Sequence, residues 1–138
     1  MYISETSIRV RYAETDQMGY VYYGHYAMYY EVGRVESLRQ LGLTYREIED
    51  AGVMMPVLEN RSKYFQPARY DDLLRIVTTL REKPGVRIRF EYDIYNGENT
   101  LIHKGETVLV FINKATGRPC RQPAAMEKVL ERFFQDEV

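Results

Sequence analysis

The stretch Tyr23-Gly24-His25-Tyr26-Ala27-Met28-Tyr29-Tyr30-Glu31-Val32-Gly33-Arg34-Val35-Glu36-Ser37-Leu38-Arg39-Gln40-Leu41 decides the fold. Its apolar positions Tyr26, Tyr29, Tyr30, Val32, Gly33, Val35, Leu38 and Leu41 cover nearly the whole helical wheel. A helix that is apolar almost all round is a buried one. The spacing therefore predicts one long buried helix from about Tyr23 to Leu41. Its charges fall three apart, Glu31 with Arg34 and Glu36 with Arg39, a spacing at which side chains pair. Gly42 supplies a C-terminal stop. Thr44 then caps a short second helix, with Glu47 three residues on, ending near Gly52.

On the N-terminal side of this helix, Ile8, Val10 and Tyr12 alternate with Ser7, Arg9 and Arg11, the period of a strand with one buried face. Residues 13–24 break that period and hold Asp16 and Gly19, which predicts a loop. On the C-terminal side, Val53 to Phe65 reads as extended, with Pro56 marking an edge or a bulge. Leu73 to Arg81 is the next strand, and Lys83-Pro84-Gly85 is a turn. Val86, Ile88, Phe90, Tyr92 and Ile94 then alternate with Arg87, Arg89, Glu91, Asp93 and Tyr95. Asn96-Gly97-Glu98-Asn99 is a hairpin loop. The partner strand runs from about Thr100 to Asn113, with Gly105 marking a bulge or a close approach. Pro123 opens a last helix with Met126, Val129, Leu130 and Phe133 on one face. Consecutive hairpins require an antiparallel sheet. The expected fold is α+β: about five strands curled around one long buried helix, with short additional helices, in one domain over residues 1–138.

Composition narrows the class of function. The 138 residues are 45% hydrophobic and 28% charged, values of a folded globular domain. Nineteen basic residues against twenty acidic ones leave a net charge of −1, which argues against a nucleic-acid partner. One cysteine and two histidines, far apart, argue against a disulfide framework and a structural zinc site. No apolar run is long enough to span a membrane, and Met1-Tyr2-Ile3-Ser4-Glu5 has no leader character, so a cytoplasmic protein is expected. Tyrosine is the anomaly: 13 Tyr and no Trp, with Tyr20, Tyr22, Tyr23, Tyr26, Tyr29 and Tyr30 crowded together.

No nucleophile elbow, phosphate loop, dinucleotide motif or Cys-pair motif is present. What remains is a carboxylate, Asp16, in the loop just ahead of the helix. A helix N-terminus offers free N–H groups and a positive dipole end. Such donors can hold an oxyanion, and a nearby carboxylate can act as base or nucleophile on the same carbon. The competing reading is an Asx-turn that merely shapes the loop.

The segment Arg11-Tyr12-Ala13-Glu14-Thr15-Asp16-Gln17-Met18-Gly19-Tyr20-Val21-Tyr22-Tyr23-Gly24-His25-Tyr26 resembles the opening motif of the 4-hydroxybenzoyl-CoA thioesterase branch of the hot-dog superfamily. Phe65-Gln66-Pro67-Ala68-Arg69-Tyr70-Asp71-Asp72 resembles that branch's turn between two sheet strands, and the element order agrees over roughly residues 4–115. The resemblance implies hydrolysis of an acyl-CoA thioester to a free acid and coenzyme A, with no metal or redox cofactor. It places the family's essential aspartate on Asp16 and its oxyanion-donating backbone amide on Tyr23, with Tyr22 ahead of it. Members close to the Tol-Pal-associated acyl-CoA thioesterases often carry His at the position of Tyr23. Here only the main-chain N–H remains for that role.

Further site residues follow with the same warrant. Tyr26, Tyr30 and Glu31 line the acyl pocket in one reading; in the other the tyrosines are core packing and Glu31 pairs with Arg34 or Arg11. Arg87 and Arg89 are the chosen contacts for the CoA phosphates, against a plain solvated sheet face. His25 is read as structural or surface, and Asp71 and Asp72 as turn residues. In this family two sheets join edge to edge with the site at the junction, so a homodimer or homotetramer is expected. A non-catalytic acyl-binding or scaffold protein and a hot-dog dehydratase are the alternatives, the second disfavoured by the setting of both histidines.

Overall fold

In the computed structural model the clearest alternation becomes the middle of the sheet. Strand β5 (Arg87–Tyr95) buries Ile88, Phe90, Tyr92 and Ile94 and turns Arg87, Arg89, Glu91 and Asp93 outward. Around it stand β1 (Tyr2–Arg9), β3 (Val57–Tyr64), β4 (Leu73–Leu80) and β6 (Leu101–Val110). The order across the sheet is β1-β4-β5-β6-β3, with every neighbouring pair antiparallel. Helix α1 (Tyr26–Arg39) lies on the inner face against β1, β4 and β5. Five strands around one long helix is the α+β hot-dog arrangement expected from the sequence. The structure describes residues 1–135; the last three residues of the expected 1–138 domain lie outside the described residues.

Helix α1 differs from its expected form in two ways. Regular α-helix begins at Tyr26, because Tyr23–His25 form a 3₁₀ turn as the chain leaves the loop. Such turns are common at helix N-termini. The helix is also not buried all round. Its inner face is Tyr26, Tyr29, Tyr30, Gly33, Arg34, Ser37 and Leu38, the three-and-four spacing of a single stripe. Met28, Val32 and Val35 stay partly exposed on the other side. Arg34 turns inward and donates from Nε to the Tyr45 hydroxyl at 3.1 Å, so it does not pair with Glu31, which is exposed. Glu36 and Arg39 do pair, at 3.2 Å.

After α1, Gly42 takes a left-handed φ of +84°, which ends the helix at little cost. Thr44 caps α2 (Tyr45–Asp50) by accepting from the Glu47 amide at 3.2 Å. The extended run after it is broken at Met55-Pro56. Its first part, β2 (Val53–Met54), pairs with β7 (Ile112–Asn113) in a separate two-stranded sheet. The C-terminal helix α3 (Ala124–Leu130) buries Met126 and Leu130 and is followed by a 3₁₀ turn over Glu131–Phe133.

The first strand is shifted relative to the alternation of Ile8, Val10 and Tyr12. β1 ends at Arg9, and Tyr12 is 77% exposed in a 3₁₀ turn over Tyr12–Glu14. The cause is local: the Glu14 carboxylate accepts from the Arg11 amide at 2.9 Å and bends the chain. Among the described residues no helix is long and apolar enough to cross a membrane.

Candidate active site

The loop that carries Asp16 is a small hairpin. Glu14 C=O accepts from the Tyr22 amide at 2.9 Å, Thr15 faces Val21 across a bridge, and the Asp16 amide donates to Tyr20 C=O at 2.8 Å. The Asp16 side chain closes the tip: its Oδ1 accepts from Met18 N at 2.9 Å and from Tyr20 N at 3.2 Å. The Asx-turn is therefore formed. It engages one oxygen only; Oδ2 has no hydrogen-bond partner among the described residues. The carboxylate is half-buried and thus open to a ligand.

The second arm of this hairpin runs into α1. Tyr22 is extended at ψ 133°, and the 3₁₀ turn over Tyr23–His25 starts next. The turn is closed by His25 N to Tyr22 C=O and Tyr26 N to Tyr23 C=O. The amides of Tyr23 and Gly24 have no backbone acceptor among the described residues. They stand at the positive end of a fourteen-residue helix. Tyr22 and Tyr23 present their rings outside, 42% and 65% exposed, at 4.4 Å between centroids. The neighbouring Tyr23 phenol raises the Tyr22 phenol above its ordinary value. One carboxylate oxygen and two open amides thus lie on adjacent arms of one loop.

What fixes the two arms to the core is Glu14, which the sequence reading passed over. It is 2% exposed. Its Oε1 accepts from Arg11 N and, at 3.0 Å, from the Tyr29 hydroxyl; its Oε2 accepts from Arg11 Nε at 3.0 Å. Burial alone would raise this carboxyl. The hydrogen bonds from the Arg11 backbone, Tyr29 and the Arg11 side chain outweigh it and hold the group below its ordinary value. The same contact pushes the Tyr29 phenol up, after burial.

Behind the helix start lies an aromatic packet. Tyr26 and Tyr30 are 3% and 0% exposed, so in this chain they stand in the core rather than on an open pocket wall. The Tyr26 ring stacks on His103 at 3.9 Å, with Tyr64 edge-on to both. Tyr30 hydrogen-bonds Ser62 Oγ at 2.6 Å and His103 Nε2. Its ring occupies the space where a side chain at position 105 would begin, so Gly105 marks a close approach within an unbroken β6 and not a bulge. Burial pushes the Tyr26 phenol up to about 12, opposed by a backbone hydrogen bond at Ala68. Burial lowers His103 to about 4, so the imidazole is neutral at pH 7. His25 is half-buried, edge-on to Tyr22 at 5.7 Å. Glu31 sits on the far side of α1, by a groove of about 340 Å³ that Ile8, Met28, Val32 and Val35 also line.

The loop packs on the turn after β3. Val21 N donates to Ala68 C=O at 2.8 Å, and Tyr20 bridges Arg69. Asp72 Oδ2 accepts from Arg69 N at 2.8 Å, and Asp71 takes a left-handed φ of 70°, so both act as turn residues. The Arg69 guanidinium lies 5.1 Å from the centre of the Tyr20 ring, an exposed cation beside the loop that sequence reasoning did not single out.

A family model described as the thioesterase-like superfamily matches residues 10–133. The chain belongs to the thioesterase-like superfamily. It is 32% identical over 119 residues to the acyl-CoA thioester hydrolase YbgC of Escherichia coli O6:H1, covering 86% of this chain and 89% of that one. It is 35% identical over 104 residues to the acyl-CoA thioesterase YbgC of Haemophilus influenzae, covering 75% of each. The crystal structure of a DHNA-CoA thioesterase from Staphylococcus aureus superposes with a TM-score of 0.84 at 33% identity, covering 99% of this chain and 86% of that one.

In this thioesterase-like chain Asp16 and Tyr22 stand on the two arms of one hairpin, Asp16 opposite Tyr20 and Tyr22 opposite Glu14, with Tyr23 next in the chain and Tyr26 at the start of α1. The structure does not bring Arg87 and Arg89 to them. The loop that holds Asp16 packs on the turn leading into β4, where Tyr20 bridges Arg69 and Val21 N donates to Ala68 C=O. Tyr95 faces Arg75 there, whereas Arg87 faces Val110 at the other end of β5. Arg89 is also engaged, with Glu106 at 2.5 Å.

Proposed function

We propose that this chain hydrolyses an acyl-CoA thioester to a carboxylic acid and coenzyme A. The observation that carries the reading is the Asp16 carboxylate, with one free oxygen, on the hairpin arm adjacent to the open amides at the start of α1. The thioester carbonyl oxygen sits on the Tyr23 amide, with the Gly24 amide beside it, and the helix dipole favours the charge that develops. Asp16 takes the proton from an attacking water, the carbon–sulfur bond breaks, and the proton passes to the leaving thiolate. In the nucleophilic variant Asp16 attacks first and water then hydrolyses the mixed anhydride. Tyr22 borders the acyl group, with Tyr26 and Tyr30 supporting it from the core, while Glu31 faces away on α1.

The catalytic unit is a homodimer, or a homotetramer built from it, acting in the cytoplasm. Supporting this is β3, an edge strand exposed along nearly its whole length, with Val57, Leu58 and Tyr64 each about half exposed. Such an edge calls for a cover. Arg87 and Arg89 then meet the CoA phosphates only from the partner subunit, because their own Asp16 is at the opposite end of the sheet.

The test is thiol release from short-chain, long-chain and aromatic acyl-CoA esters. Asp16→Asn should lower kcat by a factor of about 100 or more, the scale of a lost acid–base group. A variant that keeps most of its activity on the best ester removes Asp16 from the mechanism.

A further inference from the structure

Three features of the molecule lie outside the chemistry above: the charged outer face of the sheet, the groove along the outside of α1, and the buried carboxylate of Glu14. The outer face carries a cavity of about 780 Å³, but most of its charges are spent on one another. Arg81 pairs with Glu91, Lys104 with Asp93, and Arg89 and Arg61 with Glu106. The α1 groove leads inward to Glu14 and Tyr29. Glu14 is where the observations converge.

We propose that Glu14 is the positioning residue of the active site. Its role is to set the spacing between Asp16 and the amides at the start of α1. This rests on the reading of those groups as the catalytic pair. Two separate bonds from one residue make the link. Its main-chain carbonyl receives the Tyr22 amide at 2.9 Å, which ties the outgoing arm to the incoming one. Its carboxylate receives the Tyr29 hydroxyl at 3.0 Å, which ties the incoming arm to the first turn of the helix. Tyr29 is fully buried and cannot follow the loop if the loop moves. Arg11 supplies the remaining donors from its amide and its guanidinium, so the carboxylate is satisfied while buried. Asp16 is two residues from this anchor on one side, and Tyr23 one residue past Tyr22 on the other. Both reacting groups are therefore held from the same point. Displacement of a reacting group by about 1 Å can cost on the order of 100-fold in rate.

The experiment compares Glu14→Gln, Tyr29→Phe and the double variant with the wild type on its best acyl-CoA ester, each normalised to folded protein. Asp16→Asn is run in parallel. Glu14→Gln keeps the size but loses the charge that holds Arg11 and the paired acceptors. It should lower kcat about tenfold while KM stays within about twofold, the split expected when positioning and not binding is lost. Tyr29→Phe removes one of the bonds to the carboxylate and should lower kcat about threefold at unchanged KM. The double variant should be no worse than Glu14→Gln alone, because both act through one contact. A purely structural role would lower the melting temperature but leave kcat per folded molecule unchanged, and that result overturns the proposal. If Glu14→Gln does not fold, Tyr29→Phe decides: kcat within experimental error of wild type overturns the proposal. If Asp16→Asn is inactive while the Glu14 and Tyr29 variants turn over normally, the positioning role alone fails. If Asp16→Asn is fully active, the catalytic pair itself is wrong and the positioning role falls with it.

Discussion

Tyr22 and Tyr23 on one side of the helix start, and Tyr26, Tyr29 and Tyr30 on the other, are the same side chain in two environments. The first pair is exposed and belongs to the loop that holds Asp16; the other three are buried under the sheet. The backbone makes the difference. Once α1 begins, positions 26, 29 and 30 fall on one stripe, and the stripe faces the core. Before it begins there is no period, so the rings stay outside. Each buried phenol then has to find a partner. Tyr30 finds Ser62 and His103, and Tyr29 finds Glu14. The contrast is that the helix start separates an exposed loop from a buried support, and Tyr29 connects the two through Glu14.

The supporting side should give the larger stability effects. His103 is neutral and fully buried, with its pKa lowered to about 4 by burial. Below the ordinary histidine value the unfolded chain takes up a proton that the folded chain refuses. Stability should therefore fall as pH drops from about 6.5 to about 4 and level off below that, by roughly 3 kcal/mol in all from this group. Thermal melts across that range measure it. His103→Gln should flatten the slope, and an unchanged slope in the variant would assign the acid lability elsewhere.

Next in size is Gly105→Ala, which sets a methyl group against the Tyr30 ring. Overpacking of this kind costs about 1–3 kcal/mol. The midpoint of urea unfolding should drop accordingly, and a neutral outcome would mean that Tyr30 can shift freely.

The smallest effect is expected on the reacting side. In the proposed mechanism Tyr23 contributes only its amide, and its ring is exposed, so Tyr23→Phe should change kcat by no more than about threefold, less than 1 kcal/mol in the barrier. A collapse of activity with the fold intact would show that the hydroxyl itself takes part. That outcome would erase the contrast between ring and main chain.

Parts of this were legible in the sequence because the signals are local. The β5 alternation, the Thr44 cap, the hairpin at Asn96-Gly97 and the turn at Asp71-Asp72 each need only neighbours within four residues. The Asx-turn of Asp16 was legible through its residue type, and its candidacy as a site residue through a motif. Glu14 was not. A glutamate three residues after an arginine reads as a solvated pair, and nothing nearby shows that the pair is capped by a tyrosine fifteen residues on. His103 was hidden similarly, because β6 buries both Ile102 and His103 and so breaks the period of two. Arg34 was misjudged because its partner, Tyr45, lies on the next helix and not on its own.

The chain alone made legible the order of the main elements, the antiparallel sheet, the long helix against it and the loop in which Asp16 stands, but not the split of the run from Val53 into β2 and β3 or the early end of β1. Hydrophobic period and turn chemistry act over a few residues, and those elements depend on nothing more distant. Long-range packing fixed which tyrosines are core, which face of α1 looks inward, and which carboxylate is buried. It also decided that Arg87 and Arg89 stand at the far end of the sheet from Asp16. These outcomes depend on strand register and on which groups meet across the fold. A buried polar group takes whatever donor the packing places beside it, and that donor is seldom a neighbour in the chain.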